Sequence, residues 1–265
     1  MKVEAIKTRL VHAGEISLND LLSESIKTLP ENSIVVIASK VVALCENRVV
    51  PHAEYSREEL IEREAQWYLD PEFSPYGYHF SIIGSTMLSS AGIDESNGDG
   101  DWILWPQNPF RSANQAREFL REKFKVKNLG VIITDSVSYP LRRGTKGEMI
   151  AWSGFEAVHD YVGRQDLFGR DFKMEMSGVG TSLAVAANIV MGEGAERQPL
   201  AIISDINFVK FVNHDPTPKE IDVAFVPWDQ DIFMPFLKLM PWKKGGNYDS
   251  LISVEKNRED SAEFL

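Results

Sequence analysis

The hydrophobic pattern of the chain switches between two periods. Val3 to Leu10 alternates loosely and predicts a first strand. Leu21, Leu22, Ile26 and Leu29 recur at helical spacing and predict a helix over 18–29, with Ser17 as its cap. Ile34-Val35-Val36-Ile37-Ala38 is a short β-branched run, the pattern of a strand buried on both faces, and Ser39-Lys40 sits at its carboxyl end. Arg57 to Leu69 predicts a charged amphipathic helix, broken by Pro71, Pro75 and Gly77. His79 to Met87 reads as extended, Trp102 to Trp105 as a strand ended by Pro106, Ser112 to Phe124 as a helix, and Leu129 to Thr134 as a strand. Residues 135–154 read as a long polar connection containing glycines. An Ala-rich helix over Ser182 to Met191 stops at Gly192, and Leu200 to Ile206 is a late strand. The mixture of periods predicts a mixed α/β (α+β) class, with neither a regular βαβ array nor a Rossmann glycine fingerprint. One domain over 1–242 is expected, followed by a charged, mobile tail over 243–265.

Composition narrows the function. A hydrophobic content of 43% and a charged content of 25% are those of a soluble globular protein. The formal charge of −11 repels nucleic-acid backbones, which argues against a nucleic-acid partner. No stretch approaches the apolar length of a membrane span, and the N-terminus has no signal core, so no membrane partner is expected and a cytoplasmic enzyme or binding protein is the default. Cys45 is the one cysteine, so no intrachain disulfide forms; it reads as a buried small hydrophobe.

The strongest chemical signal is a pair of acids at the ends of apolar runs. Ala91-Gly92-Ile93-Asp94-Glu95-Ser96-Asn97 supplies Asp94, and Val131-Ile132-Ile133-Thr134-Asp135-Ser136 supplies Asp135. Ligands of α/β proteins gather beyond the carboxyl ends of strands. Two carboxylates facing one such crevice would hold a hard cation, Mg2+ or Mn2+, and through it nucleotide phosphates. Two ordinary acidic turns would give the same spacing. After Asp135 come Arg142, Arg143, Gly144, Lys146 and Gly147, either a solvated basic loop or an anion cradle. A metal carboxylate followed by a basic loop suits phosphoryl transfer. Glu193, between Gly192 and Gly194, is either an adaptable oxygen ligand or a solvated acid after a helix stop. Gly178-Val179-Gly180-Thr181 is a weak anion-site signal, and Gly163 to Arg170 reads as a structural loop. The histidines show no metal-ligand spacing, and no Ser-His-Asp or Cys-His arrangement is legible.

Taken in order from Thr8 to Ile206, these segments resemble the CofE family, the coenzyme F-420 γ-glutamyl ligases. The anchors are Ser39-Lys40-Val41-Val42, Ala91 to Asn97, Ile133 to Ser136, Pro140 to Gly144, Asp160 to Gly163 with Asp166 and Gly169-Arg170, and Asn188 to Glu193. The resemblance implies a CofE-like mixed fold of two intertwined lobes that works as a homodimer. It implies ligation of L-glutamate to an acceptor carboxylate through an acyl phosphate, with GTP (or ATP) as co-substrate and Mg2+ or Mn2+ as cofactor. Carried over by position, Asp94, Asp135, Ser136 and Glu193 bind metal, Glu193 standing where the family has Gln. Thr8, Arg9, Leu10, Val11, Ser39, Lys40, Asn97, Met191, Gly192 and Gly194 bind nucleotide. Arg142 and Asp135 are the catalytic pair.

The chain also departs from the family. Leu44 replaces a nucleotide-contacting lysine, Leu141 a Trp, Thr181-Ser182 an Asp-Glu pair, and Ser204-Asp205 an Arg-Gly. Those changes around a retained metal core leave the coenzyme F-420 precursor and a folate-type pterin as acceptors. A non-catalytic nucleotide- or pterin-binding relative and a metal-dependent phosphohydrolase are the competing readings.

Overall fold

The computed structural model describes residues 1–227 and 230–247. Along the chain run β1 (Lys2–Ile6), α1 (Leu18–Ser25), β2 (Ser33–Ala38), α2 (Ser39–Cys45), β3 (Val49–Pro51), α3 (Arg57–Glu64), β4 (Trp67–Tyr68), β5 (Phe80–Ile83), β6 (Thr86–Ser89) and β7 (Asp101–Ile103). Then follow α4 (Pro109–Phe124), β8 (Leu129–Ser138), β9 (Thr145–Ser153), β10 (Val158–Asp160), β11 (Met176–Gly178), α5 (Val179–Met191), β12 (Leu200–Ser204), α6 (Pro218–Ala224), α7 (Met234–Leu237) and β13 (Lys243–Lys244). They form two compact units, each made of two chain segments: unit 1 is Met1–Arg48 with Pro106–Ala224, and unit 2 is Val49–Trp105 with the chain from Phe225 onward.

Unit 1 is built on a five-stranded sheet in the order β1-β12-β2-β8-β9. β12 runs antiparallel to both β1 and β2, and β2 runs parallel to β8. β1, β2 and β8 therefore point the same way, and their carboxyl ends share one edge. Ile34 to Ile37 and Val131 to Ile133 are fully buried, which is why these runs are continuous rather than alternating. α4 starts on Asn108, whose side chain accepts from the Arg111 amide, with Pro109 at its first position, and ends at Lys125 in the left-handed region. Its buried face is Ala113, Ala116 and Leu120, with Arg117 among them.

Arg117 is a buried cation that ties three segments together. Its guanidinium donates to the Leu129 and Val212 carbonyls and to Asn213 Oδ1, all at 3.0 to 3.2 Å. Burial holds its pKa below the ordinary arginine value.

Unit 2 packs Leu60, Ile61, Ala65, Tyr68, Ile93 and Leu104 into a core of its own. Around it lie the sheet β13-β4-β5-β6 and the pair β3-β7. α3 opens with a capping box between Ser56 and Glu59. The turn from Ser90 to Gly92 has three successive left-handed residues, at φ +55°, +51° and +67°. The Ser81 hydroxyl accepts from the Ala91 amide at 2.7 Å, and the Ser90 amide donates to the His79 carbonyl at 2.7 Å. A Cβ on Gly92 would lie 2.1 Å from the Trp105 indole nitrogen, so this turn tolerates glycine alone.

Several expectations change. Residues 135–154 are not a loop: β8 continues to Ser138 and pairs with β9 as a hairpin, with a register shift between Ile133 and Thr134. Many of its polar side chains face other side chains of unit 1 instead of alternating with apolar ones, so the period-two signal is missing. The extended run from His79 to Met87 is a hairpin turned near Gly84. α3 stops at Glu64, five residues before Leu69, because Trp67–Tyr68 pair with β5. The expected tail contributes β13 to unit 2, and its residues 248–265 lie outside the described residues. Cys45 is half-buried, and burial pushes its thiol up to about 12, which keeps it unreactive.

Arg117→Met leaves two buried carbonyls without their donor and is expected to cost about 3 kcal/mol of unfolding free energy. Urea denaturation measures it, and a loss within error of zero contradicts the tie described here.

Candidate active site

Several of the residues singled out in unit 1, Thr8, Ser39, Lys40, Asp135 and Ser136, follow the ends of β1 and β2 or the end of the β2–β8 ladder at one sheet edge. The Thr8 amide donates to the Arg197 carbonyl at 2.9 Å, and the Ala38 amide donates to the Pro199 carbonyl at 2.9 Å. The segment before β12 thus runs across the ends of β1 and β2. Ser39 is buried and Lys40 half-buried at the start of α2, where β2 stops. The last β2–β8 pair is Ala38 with Thr134, so Asp135 is the first residue of β8 beyond that ladder.

Ser136 and Glu193, 57 residues apart, meet side chain to side chain. The Ser136 hydroxyl lies 2.9 and 3.0 Å from the two Glu193 oxygens. Glu193 Oε1 also accepts from Asn188 Nδ2 at 2.9 Å and from the Thr145 hydroxyl at 3.2 Å. Asp135 Oδ1 accepts from the Ser136 amide at 2.9 Å. Among the described residues the donors to Glu193 are neutral. Met191 is the last buried residue of α5, Gly192 ends the helix, and the Gly194 amide donates to Glu196 at 2.8 Å. Glu193 therefore follows a glycine helix stop and is held there by three side chains.

Gly147 makes this meeting possible. A Cβ there would lie 2.6 Å from the Ala184 carbonyl and 2.8 Å from Asn188 Cβ. α5 can approach β9 closely only because that side chain is missing.

The remaining predicted residues divide. Arg9 pairs with Glu15. Leu10 is exposed and Val11 half-buried. Arg142 is exposed at the hairpin tip, where its guanidinium donates to the Leu141 carbonyl at 2.9 Å. Asp94 and Asn97 belong to unit 2. Asp94 bridges to Ile103 through paired backbone bonds, and its Oδ1 accepts from the Ser96 amide at 2.7 Å. Asn97 is exposed, in the left-handed region at φ +60°. The segment around Asp166 is a structural turn, as expected: its carboxylate caps the Phe168 and Arg170 amides.

Sequence reasoning gave no role to Thr145, Tyr139 or Glu148, and noted Thr181 only as a weak anion-site signal and a departure from the family. Glu148 Oε2 accepts from the Tyr139 hydroxyl and Oε1 from the Thr181 hydroxyl, each at 2.7 Å. Asn188 was noticed only as part of a motif, although it is a polar residue in an otherwise apolar final helix turn. A cavity of about 220 Å³ bordered by Trp152, Phe155 and Lys219 contains none of the predicted residues.

Among the described residues no group of three or more His, Cys, Asp or Glu side chains is arranged to hold a metal ion. Unit 1 offers Asp135, Ser136 and Glu193, all oxygen donors. That set fits Mg2+ or Mn2+, which bind through one or two carboxylates and complete their shell with phosphates and water.

Gly147→Val should push the last turns of α5 off β9 and separate Glu193 from Ser136. It is expected to cost about 2 kcal/mol and to lower the thermal midpoint by about 4 to 8 °C. An unchanged midpoint in a thermal scan would contradict the close approach.

The chain is similar to known proteins of one family. The family model for F420-0:Gamma-glutamyl ligase matches residues 79–205. The coenzyme F420:L-glutamate ligase of Methanosarcina mazei is 31% identical over 263 residues, covering 92% of this chain and 100% of that protein. The same-named protein of Methanocaldococcus jannaschii is 35% identical over 244 residues, covering 84% of this chain and 96% of its own. That of Methanococcus maripaludis is 33% identical over 219 residues, covering 77% and 87%. Similarity of this extent, over nearly the whole of each relative, places the chain in the F420-0 γ-glutamyl ligase family.

Proposed function

We propose that the protein is a nucleotide- and divalent-metal-dependent γ-glutamyl ligase, joining L-glutamate to a carboxylate of a small-molecule acceptor. The observation that carries this reading is the convergence of Thr8, Ser39-Lys40, Asp135-Ser136 and Glu193 on one edge of a sheet in a chain of this family.

A carboxylate is a poor electrophile. An acceptor carboxylate oxygen attacks the γ-phosphorus of the nucleotide, the bond to the β-phosphate oxygen breaks, and the nucleoside diphosphate leaves. The acyl phosphate then has a good leaving group. The ammonium of glutamate first gives up one proton to solvent; the freed nitrogen lone pair attacks the acyl carbonyl carbon, the nitrogen gives up a second proton to solvent, and inorganic phosphate departs. The product is an amide.

The residues have distinct work in this scheme. Asp135, Ser136 and Glu193 would hold Mg2+ or Mn2+, which would supply charge neutralisation for the phosphates. Thr8 to Val11, Ser39-Lys40, Met191, Gly192 and Gly194 would contact the nucleotide. Arg142 offers a planar donor pair to an equatorial phosphate oxygen or to the acceptor carboxylate. Positioning of this kind removes much of the entropic barrier to a reaction between separate molecules.

The first acceptor to test is coenzyme F420-0, because the similar proteins carry that name. The departures at Leu44, Thr181-Ser182 and Ser204-Asp205 favour a folate-type pterin as the second. GTP and ATP are both tested as phosphoryl donors. The protein acts as a homodimer in this reading, and no nucleic acid takes part.

Incubation with GTP or ATP, Mg2+ or Mn2+, L-glutamate and each acceptor should release phosphate only when glutamate and acceptor are both present. Mass spectrometry should detect the γ-glutamyl product. Asp135→Asn should lower that rate by about a thousandfold or more while the unfolding midpoint stays close to wild type. Wild-type turnover in Asp135→Asn would remove the metal assignment. Glutamate-independent phosphate release would favour a phosphohydrolase instead.

A further inference from the structure

β9 carries two opposite charges on one side. Lys146 and Glu148 are two residues apart, so their side chains leave the strand on the same face about 7 Å from each other. They do not close into an ion pair. The Lys146 ammonium lies 3.4 Å from the centroid of the Tyr139 ring, while the Tyr139 hydroxyl donates to Glu148 Oε2 at 2.7 Å. One tyrosine holds the cation on its face and the anion at its hydroxyl, and keeps them apart.

The anion is further fixed from α5. Thr181 Oγ1 donates to Glu148 Oε1 at 2.7 Å, and Thr181 lies in the first turn of that thirteen-residue helix. The exposed amide dipoles of a helix N-terminus favour a carboxylate. Burial, and then the hydrogen bond to Glu148, pushes the Tyr139 phenol above its ordinary value, so it stays a donor. Both hydroxyls are neutral, and among the described residues no cation neutralises Glu148.

Building on the ligase reading, we infer that Lys146, Tyr139 and Glu148 form a cradle for the head group of an α-amino acid zwitterion. The ammonium of L-glutamate docks against Glu148, and its α-carboxylate docks against Lys146. Charge-assisted hydrogen bonds of this kind are about twice as strong as neutral ones. The position suits the reaction. Glu148 is the direct cross-strand partner of Asp135, and facing side chains on neighbouring strands start about 5 Å apart. An amine held at Glu148 is beside the edge where the acyl phosphate is proposed to form. Glu148, Lys146 and Tyr139 are substrate-positioning groups that confer selectivity for an α-amino acid nucleophile.

The test uses Glu148→Gln and Lys146→Met in the full chain, with GTP, Mg2+ and F420-0 and with L-glutamate varied. Each variant is expected to raise the KM for L-glutamate by about tenfold or more, while the KM for GTP stays within about twofold. Hydroxylamine replaces glutamate in a parallel assay, since it is largely uncharged at neutral pH and traps an acyl phosphate as a hydroxamate. Hydroxamate formation should remain near the wild-type rate. If the two KM values move together, or if hydroxamate falls in parallel with glutamate ligation, the cradle is a structural brace or part of the metal site and the inference is overturned. If wild-type protein makes neither amide nor hydroxamate, the ligase reading falls. Calorimetric titration with L-glutamate alone then decides the cradle separately: binding to wild type that is lost in both variants supports it, and equal or absent binding overturns it.

Discussion

The parallel ladder between β2 and β8 is the constraint on which the unit 1 site depends. Six residues pair on each strand, and the ladder ends where Ala38 meets Thr134. Its central residues are buried on both faces, so neither strand can slide without dragging a polar residue into an apolar interior. The end of the ladder is thereby fixed to the residue. Beyond it, β2 turns at once into α2 and presents Ser39 and Lys40. β8 carries on with β9 alone and presents Asp135 and Ser136. The place where these polar groups emerge is the place where one strand of a parallel pair runs out and its neighbour does not.

What gathers at that edge includes two carboxylates, those of Glu193 and Glu148, whose hydrogen-bond donors among the described residues are neutral. Glu193 is held by a serine, a threonine and an asparagine, and Glu148 by a tyrosine and a threonine. Neutral donors fix the direction of a carboxylate without cancelling its charge. Glu148 is half-buried and Glu193 exposed; the less water around such a carboxylate, the more strongly it attracts a cation that can reach it. A metal ion beside Glu193 and Ser136, and a substrate ammonium beside Glu148, would each complete what the hydroxyls begin. The Glu at position 193 suits this logic, because a full charge adds to cation binding where an amide contributes only a dipole.

Unit 2 offers its acid by a different physical device. Three consecutive left-handed residues precede Asp94, and two of them, Ser90 and Ala91, carry side chains that disfavour that conformation. Strain of this kind costs of order 1 to 3 kcal/mol per residue and survives only where surroundings over-determine it. Here the surroundings are buried hydrogen bonds to Ser81 and His79 and the indole of Trp105 against Gly92. The turn is held rather than relaxed, and the loop carrying Asp94 and Asn97 starts from a rigid base.

Much of this was legible in one dimension. The continuous apolar runs of β2 and β8, the Ser17 cap of α1, the amphipathic face of α4 and the glycine stop after α5 all follow from local propensity and periodicity, which neighbouring residues decide among themselves. The collinear motifs carried the family. The hairpin of β8 and β9 was not legible, because Thr145, Lys146 and Glu148 alternate with no apolar partner and read as loop. The engagement of Glu193 by Ser136, and of Glu148 by Tyr139 and Thr181, could not be read at all, since sequence records spacing and these contacts join different elements. Sequence determined which residues end strands and which stop helices. Only the tertiary structure decided which of those ends meet, because that depends on strand order, register and the approach of α5 that Gly147 permits.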